Sequence, residues 1–162
     1  MKVRRPNLEA LYKEVDNYIP AKESLQPPRI GISANRRDGL SCIAETYVQA
    51  VLDAGGAPVL IPVITDLKAL TVLVSELDGL VMSGGGDINP LYLHEEPIPQ
   101  LQDVDTLRDE YDLILLRLAA NRQIPIMGFC RGHQIMNVAF EGSVYLDFHS
   151  QAIHALLKHS QI

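Results

Sequence analysis

From residue 29 onward, short apolar runs alternate with stretches whose apolar residues recur every three or four positions. Arg29-Ile30-Gly31-Ile32-Ser33, Pro58-Val59-Leu60-Ile61, Gly79-Leu80-Val81-Met82 and Ile124-Pro125-Ile126-Met127-Gly128 are compact runs of the kind found in buried strands. Between them, Ala44 to Ala54 puts Tyr47, Val48, Val51 and Ala54 on one helical face and stops at Gly55-Gly56. Leu67, Leu70, Val74 and Leu77 predict a second helix, which Thr65 or Asp66 can cap. Leu107, Tyr111, Ile114, Leu115 and Leu118 predict a third, and Gln134 to Phe140 begins a fourth. Strands alternating with helices of this length need crossover connections. The pattern therefore predicts a mostly parallel sheet with helices on both faces.

Two segments stand outside that alternation. Asn7 to Ile19 carries Leu8, Leu11, Tyr12, Val15 and Ile19 at helical spacing behind an Asn7 N-cap, and Pro20 and Gln26-Pro27-Pro28 end it. The chain thus divides into an N-terminal helical arm and linker over 1–28 and a domain over 29–162. Ile88 to Asp103 contains three prolines and few periodic apolar positions, which predicts a long loop of the kind that carries function.

In open parallel sheets, ligands bind beyond the carboxyl ends of the strands. Gly84-Gly85-Gly86 follows the third strand and Cys130 the fourth, so both fall at that end. Gly128-Phe129-Cys130-Arg131-Gly132 sets a nucleophile between glycines two residues away on either side. A sharp strand-to-helix turn exposes such a nucleophile, and side chains at the flanking positions would strike neighbouring backbone. The turn also puts the sulfur at a helix N-terminus, where unpaired amides and the dipole favour an anion. Attack on an acyl carbon needs donors ready for the oxyanion, and the N–H groups of Arg131 and of one glycine among 84–86 can supply them. Glycine suits that loop because the substrate must approach the main chain closely. Cys42 lacks this setting and is read as structural.

Composition narrows the class. The 162 residues are enough for one domain with a real core, and 47% hydrophobic against 21% charged residues excludes a disordered chain. A formal net charge of −6 leaves no basic stripe for nucleic acid. Two cysteines are too few for a disulfide framework and point to a reducing cytoplasm. No apolar run reaches the ~18 residues of a membrane span, and the charged Met1 to Pro6 has no apolar run behind it, unlike a signal peptide. The charged positions Glu95, Glu96, Asp103 and Asp105 read first as a solvated face. No metal-ligand cluster and no cofactor motif is apparent.

Gly128-Phe129-Cys130-Arg131-Gly132-His133-Gln134 resembles the nucleophile motif of class I glutamine amidotransferases, and more closely that of the gamma-glutamyl hydrolase branch, which includes gamma-glutamyl-gamma-aminobutyrate hydrolases. Gly31-Ile32-Ser33-Ala34-Asn35, Ala54-Gly55-Gly56-Ala57-Pro58-Val59, Ser83-Gly84-Gly85-Gly86-Asp87-Ile88-Asn89-Pro90 and Arg108-Asp109-Glu110-Tyr111-Asp112 extend the resemblance from about residue 29 to the end. The resemblance implies a flavodoxin-like three-layer α/β/α fold. It also implies a Cys-His-Glu triad that cleaves gamma-glutamyl amides, small-molecule substrates, through a gamma-glutamyl thioester. By position it makes Cys130 the nucleophile, gives Gly85 and Arg131 the oxyanion-hole amides, and puts Gln134 near the glutamyl-binding end of the pocket.

The chain departs from the family pattern in two places. The family carries its catalytic histidine and glutamate on a late His-Pro-Glu segment, which is absent here; none of His94, His133, His149, His154 and His159 matches that histidine. Relatives carry Gly-Gly where this chain has Glu141-Gly142, which bears on the local turn. The expectation is the first two-thirds of such an enzyme, inactive by itself, with an open sheet edge that a second copy in a homodimer could cover. Two other functions compete with a free-standing hydrolase: a glutaminase subunit passing ammonia to a synthase, and a binding protein with a dead site.

Overall fold

The computed structural model describes residues 12–13 and 26–146. Tyr12 and Lys13 are helical; residues 1–11 and 14–25 of the expected arm and linker, like His149, His154 and His159, lie outside the described residues. Four strands form a parallel sheet: β1 (Arg29–Ser33), β4 (Ala57–Ile61), β5 (Gly79–Met82) and β6 (Ile126–Gly128), in the order β4-β1-β5-β6. The order reverses at β1, the switch point where a crevice opens at the carboxyl ends of β1 and β5. Helices α1 (Glu45–Asp53), α2 (Leu67–Ser75), α3 (Thr106–Asn121) and α4 (Arg131–Ala139) alternate with these strands. Right-handed crossovers running one way from β1 to β4 and back the other way from β4 to β5 put α1 on one face and α2 on the other. α3 packs against both α2 and α4. This is the expected flavodoxin-like three-layer architecture.

The core lies between the sheet and α2, α3 and α4. Ile61, Leu80 and Met82 from the strands meet Leu70 and Val74 of α2, Tyr111, Leu115 and Leu116 of α3, and Ile135 of α4, all buried. Tyr111 also carries a polar handle. Its hydroxyl donates to the Ile61 carbonyl at 2.6 Å and accepts from the Ala34 N–H at 3.2 Å, joining α3 to the ends of β1 and β4. Burial pushes the phenol well above its ordinary value, so it remains a donor at any working pH.

Two boundaries differ from the periodicity. β6 begins at Ile126 because Pro125 has no N–H to give the ladder; its carbonyl alone takes part, accepting from the Leu80 N–H at 2.9 Å. α4 begins at Arg131, three residues before the expected start, since Gly132 masks the helical pattern. Outside the alternation, Cys42 ends β3 (Leu40–Cys42), which pairs antiparallel with β2 (Asn35–Arg37). The two strands join through Asp38-Gly39, both at positive φ (51° and 76°), the conformation of a tight hairpin turn.

This hairpin is tied down through both strands: β3 by Ser41 Oγ, which accepts from the Val63 N–H at 2.9 Å, and β2 by Arg36. Arg36 Nε donates to Asp105 Oδ2 at 2.8 Å, while Asp105 Oδ1 caps α3 by accepting from the N–H groups of Leu107 and Arg108 at 3.1 and 3.2 Å. Asp105 is thus a cap and an ion-pair partner, not part of a solvated charge run. Burial pushes its carboxyl up, but Arg36 and the Arg108 and Leu107 amides together hold it below the ordinary carboxylate value. A depressed folded value means stability that is present above the unfolded pKa and lost as pH falls through the folded one. Asp105→Ala is therefore expected to lower stability at neutral pH by about 0.5–2 kcal/mol. In urea denaturation the gap to the parent should close as pH falls below about 4; a gap that stays constant across that range would contradict the assignment.

Candidate active site

The turn between β6 and α4 takes its shape from crowding. Cys130 sits at φ 51°, ψ −116°, a strained backbone for a side chain of any size, and immediately precedes α4. A Cβ on Gly128 would come within 2.6 Å of Met136 Sδ and 2.7 Å of the Gly132 carbonyl, and a Cβ on Gly132 would overlap the Met82 carbonyl of β5. Both glycines are therefore required for the helix to start this close to the sheet. The clash with neighbouring backbone expected from the sequence is the observed packing. The Cys130 thiol is exposed, and the carbonyl of Cys130 accepts from the N–H groups of His133 and Gln134 at 3.0 and 3.2 Å. The Arg131 N–H occupies the first helical position, where a backbone donor has no partner within the helix.

The glycine loop lies directly beside this turn. A Cβ on Gly84 would stand 3.5 Å from Cys130 Cβ. The Gly84 N–H is already used: it donates to the Tyr47 hydroxyl at 2.9 Å, and the Tyr47 ring meets Phe129 edge-on with centroids 5.9 Å apart. The Gly85 N–H meets no acceptor among the described residues. The space beside Gly85 is filled by protein, since a Cβ there would meet Arg108 Nη1 at 2.5 Å and Asn35 Oδ1 at 2.8 Å. Glycine at 85 is thus demanded at least as much by this guanidinium as by an approaching substrate.

Behind the loop and the elbow lies a buried cluster of four charges. Arg131 Nη2 donates to Asp109 Oδ1 at 2.5 Å and its Nη1 to Asp112 Oδ2. Arg108 Nε lies 3.3 Å from Asp112 Oδ2, in ionic contact but not in hydrogen-bond alignment. Arg108 Nη2 donates to Ser83 Oγ at 2.9 Å and to the Ser83 carbonyl at 3.3 Å. Ser83 in turn bonds Ser33: its N–H donates to Ser33 Oγ at 2.9 Å and its Oγ donates to the Ser33 carbonyl at 2.7 Å, linking the ends of β1 and β5. Asp109 Oδ2 accepts from the Asn89 N–H at 3.0 Å, which fixes the start of the long loop. Burial pushes the Asp112 carboxyl up, against the pull of Arg131 and then Arg108. Burial likewise draws the Arg108 guanidinium down, and Asp112 opposes it.

In front of the loop is a cavity of about 1280 Å³, bounded by the hairpin (Asn35, Arg36, Arg37), the glycine loop, residues 102–108 and Arg131. The base of the long loop closes on itself: the Asp87 N–H donates to the Gln102 carbonyl at 2.9 Å, and the Gln102 N–H to Asp87 Oδ2 at 2.8 Å. Gly85 and Arg131 line this cavity; Cys130 is not among the lining residues but adjoins one of them, Gly84, on which a Cβ would stand 3.5 Å from Cys130 Cβ. Gln134 is half-buried on α4 and is not among the lining residues. Among the described residues no group of His, Cys, Asp and Glu could hold a metal ion, and no helix is long and apolar enough to cross a membrane.

Sequence reasoning missed Asn35, Tyr47, Arg108, Asp109 and Asp112 as parts of the site. For the last three a signal existed. Arg108 and Asp112 are in helical phase with the buried Leu115 and Ala119, and Asp109 with Leu116, so charges stand on the core face of α3. Buried charges in such positions must be paired.

The chain is similar to several known proteins over most of its length. The chain is 33% identical over 129 residues to the protein NtpR of Enterococcus hirae, an alignment covering 74% of this chain and 54% of that protein. It is 34% identical over 125 residues to a gamma-glutamyl-gamma-aminobutyrate hydrolase of Escherichia coli, covering 73% and 48%. A glutamine amidotransferase-like protein of Rickettsia prowazekii matches at 34% over 103 residues, covering 63% and 36%. The chain spans about half the length of the curated relatives it matches. The Peptidase C26 family model matches residues 28–162, which include every element of the sheet, the glycine loop and the Cys130 elbow, and the chain belongs to that family.

Proposed function

We propose that this site is the nucleophile half of a cysteine hydrolase acting on gamma-glutamyl amide bonds. The observation that carries the reading is the exposed Cys130 on a strained elbow at the head of α4, with Gly84 packed against it. Cys130 Sγ attacks the gamma-carbonyl carbon, a C–S bond forms, and the carbonyl π pair moves onto oxygen. The Gly85 and Arg131 N–H groups receive that oxyanion, Gly84 being excluded by its bond to Tyr47. Collapse breaks the C–N bond, and the amine leaves with the electron pair and a proton. Water then cleaves the gamma-glutamyl thioester to glutamate and the free thiol. The gamma-glutamyl-gamma-aminobutyrate hydrolases among the relatives support this substrate class, and two free cysteines suit a reducing compartment such as the cytoplasm.

The thiol is expected to be the reactive one of the two. A diazo-ketone analogue of glutamine should label Cys130 and leave Cys42 unmodified, as read by peptide mass spectrometry. Labelling that survives Cys130→Ala and is lost with Cys42→Ala would refute the assignment.

Turnover needs a base to accept the thiol proton and return it to the leaving amine. His133 is exposed on α4, the helix that Cys130 itself begins, and His94 is exposed at the end of a short 3₁₀ turn over Pro90–Leu93. Neither position matches the family's base. The 162 residues alone are therefore expected to accumulate a thioester and release essentially no glutamate from gamma-glutamyl-p-nitroanilide. Steady turnover that vanishes in Cys130→Ala would show that a base is present, with His133→Ala the variant that identifies it.

A further inference from the structure

The two amides assigned to the oxyanion belong to different segments, joined in front by the Phe129 N–H bond to the Met82 carbonyl at 3.0 Å and by Tyr47, which bonds Gly84 and meets Phe129. Gly85 lies on the loop after β5, and Arg131 opens α4 beyond β6. One continuous chain of side chains spans that gap from behind. The Arg131 guanidinium bonds Asp112; Asp112 meets Arg108 at 3.3 Å; Arg108 Nη2 bonds the Ser83 carbonyl and hydroxyl at 3.3 and 2.9 Å, one residue before Gly84. Arg108 Nη1, one bond from the same guanidinium carbon, occupies the space against Gly85. Both Arg108 and Asp112 come from the rigid central part of the domain, the first half of α3, and are almost wholly buried.

We infer that Arg108 is a positioning residue for the oxyanion pocket: through Ser83 and Gly85 on one side and Asp112–Arg131 on the other, it sets the spacing between the Gly85 and Arg131 N–H groups. The inference rests on the proposed function above. It follows from the fork of the guanidinium, which can bond the loop backbone through Nη2, pack on Gly85 through Nη1 and face a carboxylate through Nε at the same time. A lysine would restore the charge but only one of these contacts. Arg108 has no contact with Cys130, so the chemistry of the thiol itself does not depend on it.

That separation defines the test. Acylation of Cys130 by gamma-glutamyl-p-nitroanilide passes through an oxyanion, and alkylation by iodoacetamide does not. Both are followed in the full 162-residue chain by intact mass over time, for the parent, Arg108→Met, Arg108→Lys and Ser83→Ala. In Arg108→Met and Arg108→Lys, acylation is expected to fall by about 10²–10³-fold, the loss typical of a misplaced oxyanion donor, while alkylation stays within about twofold. Ser83→Ala, which removes one of the two Nη2 acceptors and spares the charge cluster, is expected to slow acylation by about tenfold with alkylation again unchanged. Acylation at the parental rate in all three variants would overturn the inference and leave the proposed function standing. So would parallel losses of both reactions in all three, since that is what a merely structural role gives. A parent that iodoacetamide alkylates at Cys130 but the substrate never acylates would overturn the proposed function, and this inference with it.

Discussion

The ion pairing of Arg131 with Asp109 and Asp112 holds the rest of the site in place. Arg131 follows Cys130 directly, and its side chain is buried against α3, not turned to solvent. Removing four charges from water is costly, and the cluster is tolerable because two arginines and two aspartates sum to zero and their polar atoms find partners in Ser83 and the Asn89 amide. The arrangement is poor in slack: Arg108 Nε and Asp112 Oδ1 have no hydrogen bond among the described residues. Taking away one member leaves an uncompensated buried charge, which typically costs about 3–5 kcal/mol. The cluster therefore acts as a geometric lock. With the guanidinium of Arg131 fixed, the first turn of α4, and Cys130 one residue earlier, have little freedom.

Sterics complete what the charges begin. Gly128 and Gly132 allow α4 to start against Met82 of β5, and that closeness forces Cys130 into its strained backbone. A strain of this kind costs about 1–3 kcal/mol and persists only where the surroundings overdetermine it. Here the surroundings are the Phe129 N–H bonded to the Met82 carbonyl at 3.0 Å, the Tyr47–Phe129 contact and the Arg131 lock. A second strained position follows at the far end of the helix. Glu141 lies at φ 65°, in a left-handed turn that glycine adopts freely.

Much of this fold was legible because burial writes itself into periodicity. β1 and β5 coincide with their apolar runs, and α2 begins behind the Asp66 cap, whose side chain accepts from the Ala69 N–H at 2.7 Å. The hairpin β2–β3 was not, because its residues Asn35-Arg36-Arg37 and Leu40-Ser41-Cys42 are mostly exposed and carry no apolar alternation; only Asp38-Gly39 betrayed it. At the site, Cys130 and its glycines were readable since one residue's geometry dictates its neighbours' size. Arg108, Asp109 and Asp112 were visible as a motif but not as a mechanism. Their partners, Ser83 and Arg131, are distant in sequence, and only the packing of α3 between α2 and α4 brings them together. Gln134, half-buried on α4, lies outside the lining of the cavity, as Cys130 does.

The most direct test of the lock is a double-mutant cycle on Arg131→Gln and Asp112→Asn, with urea denaturation of the parent, both single variants and the double variant. If the pair locks α4 to α3, each single variant leaves its partner charge buried and unpaired. The double variant should then lose less stability than the two singles together, by a coupling of about 1–3 kcal/mol. Losses that add to within about 0.5 kcal/mol would show that Arg131 and Asp112 act independently and that the elbow is held by something else.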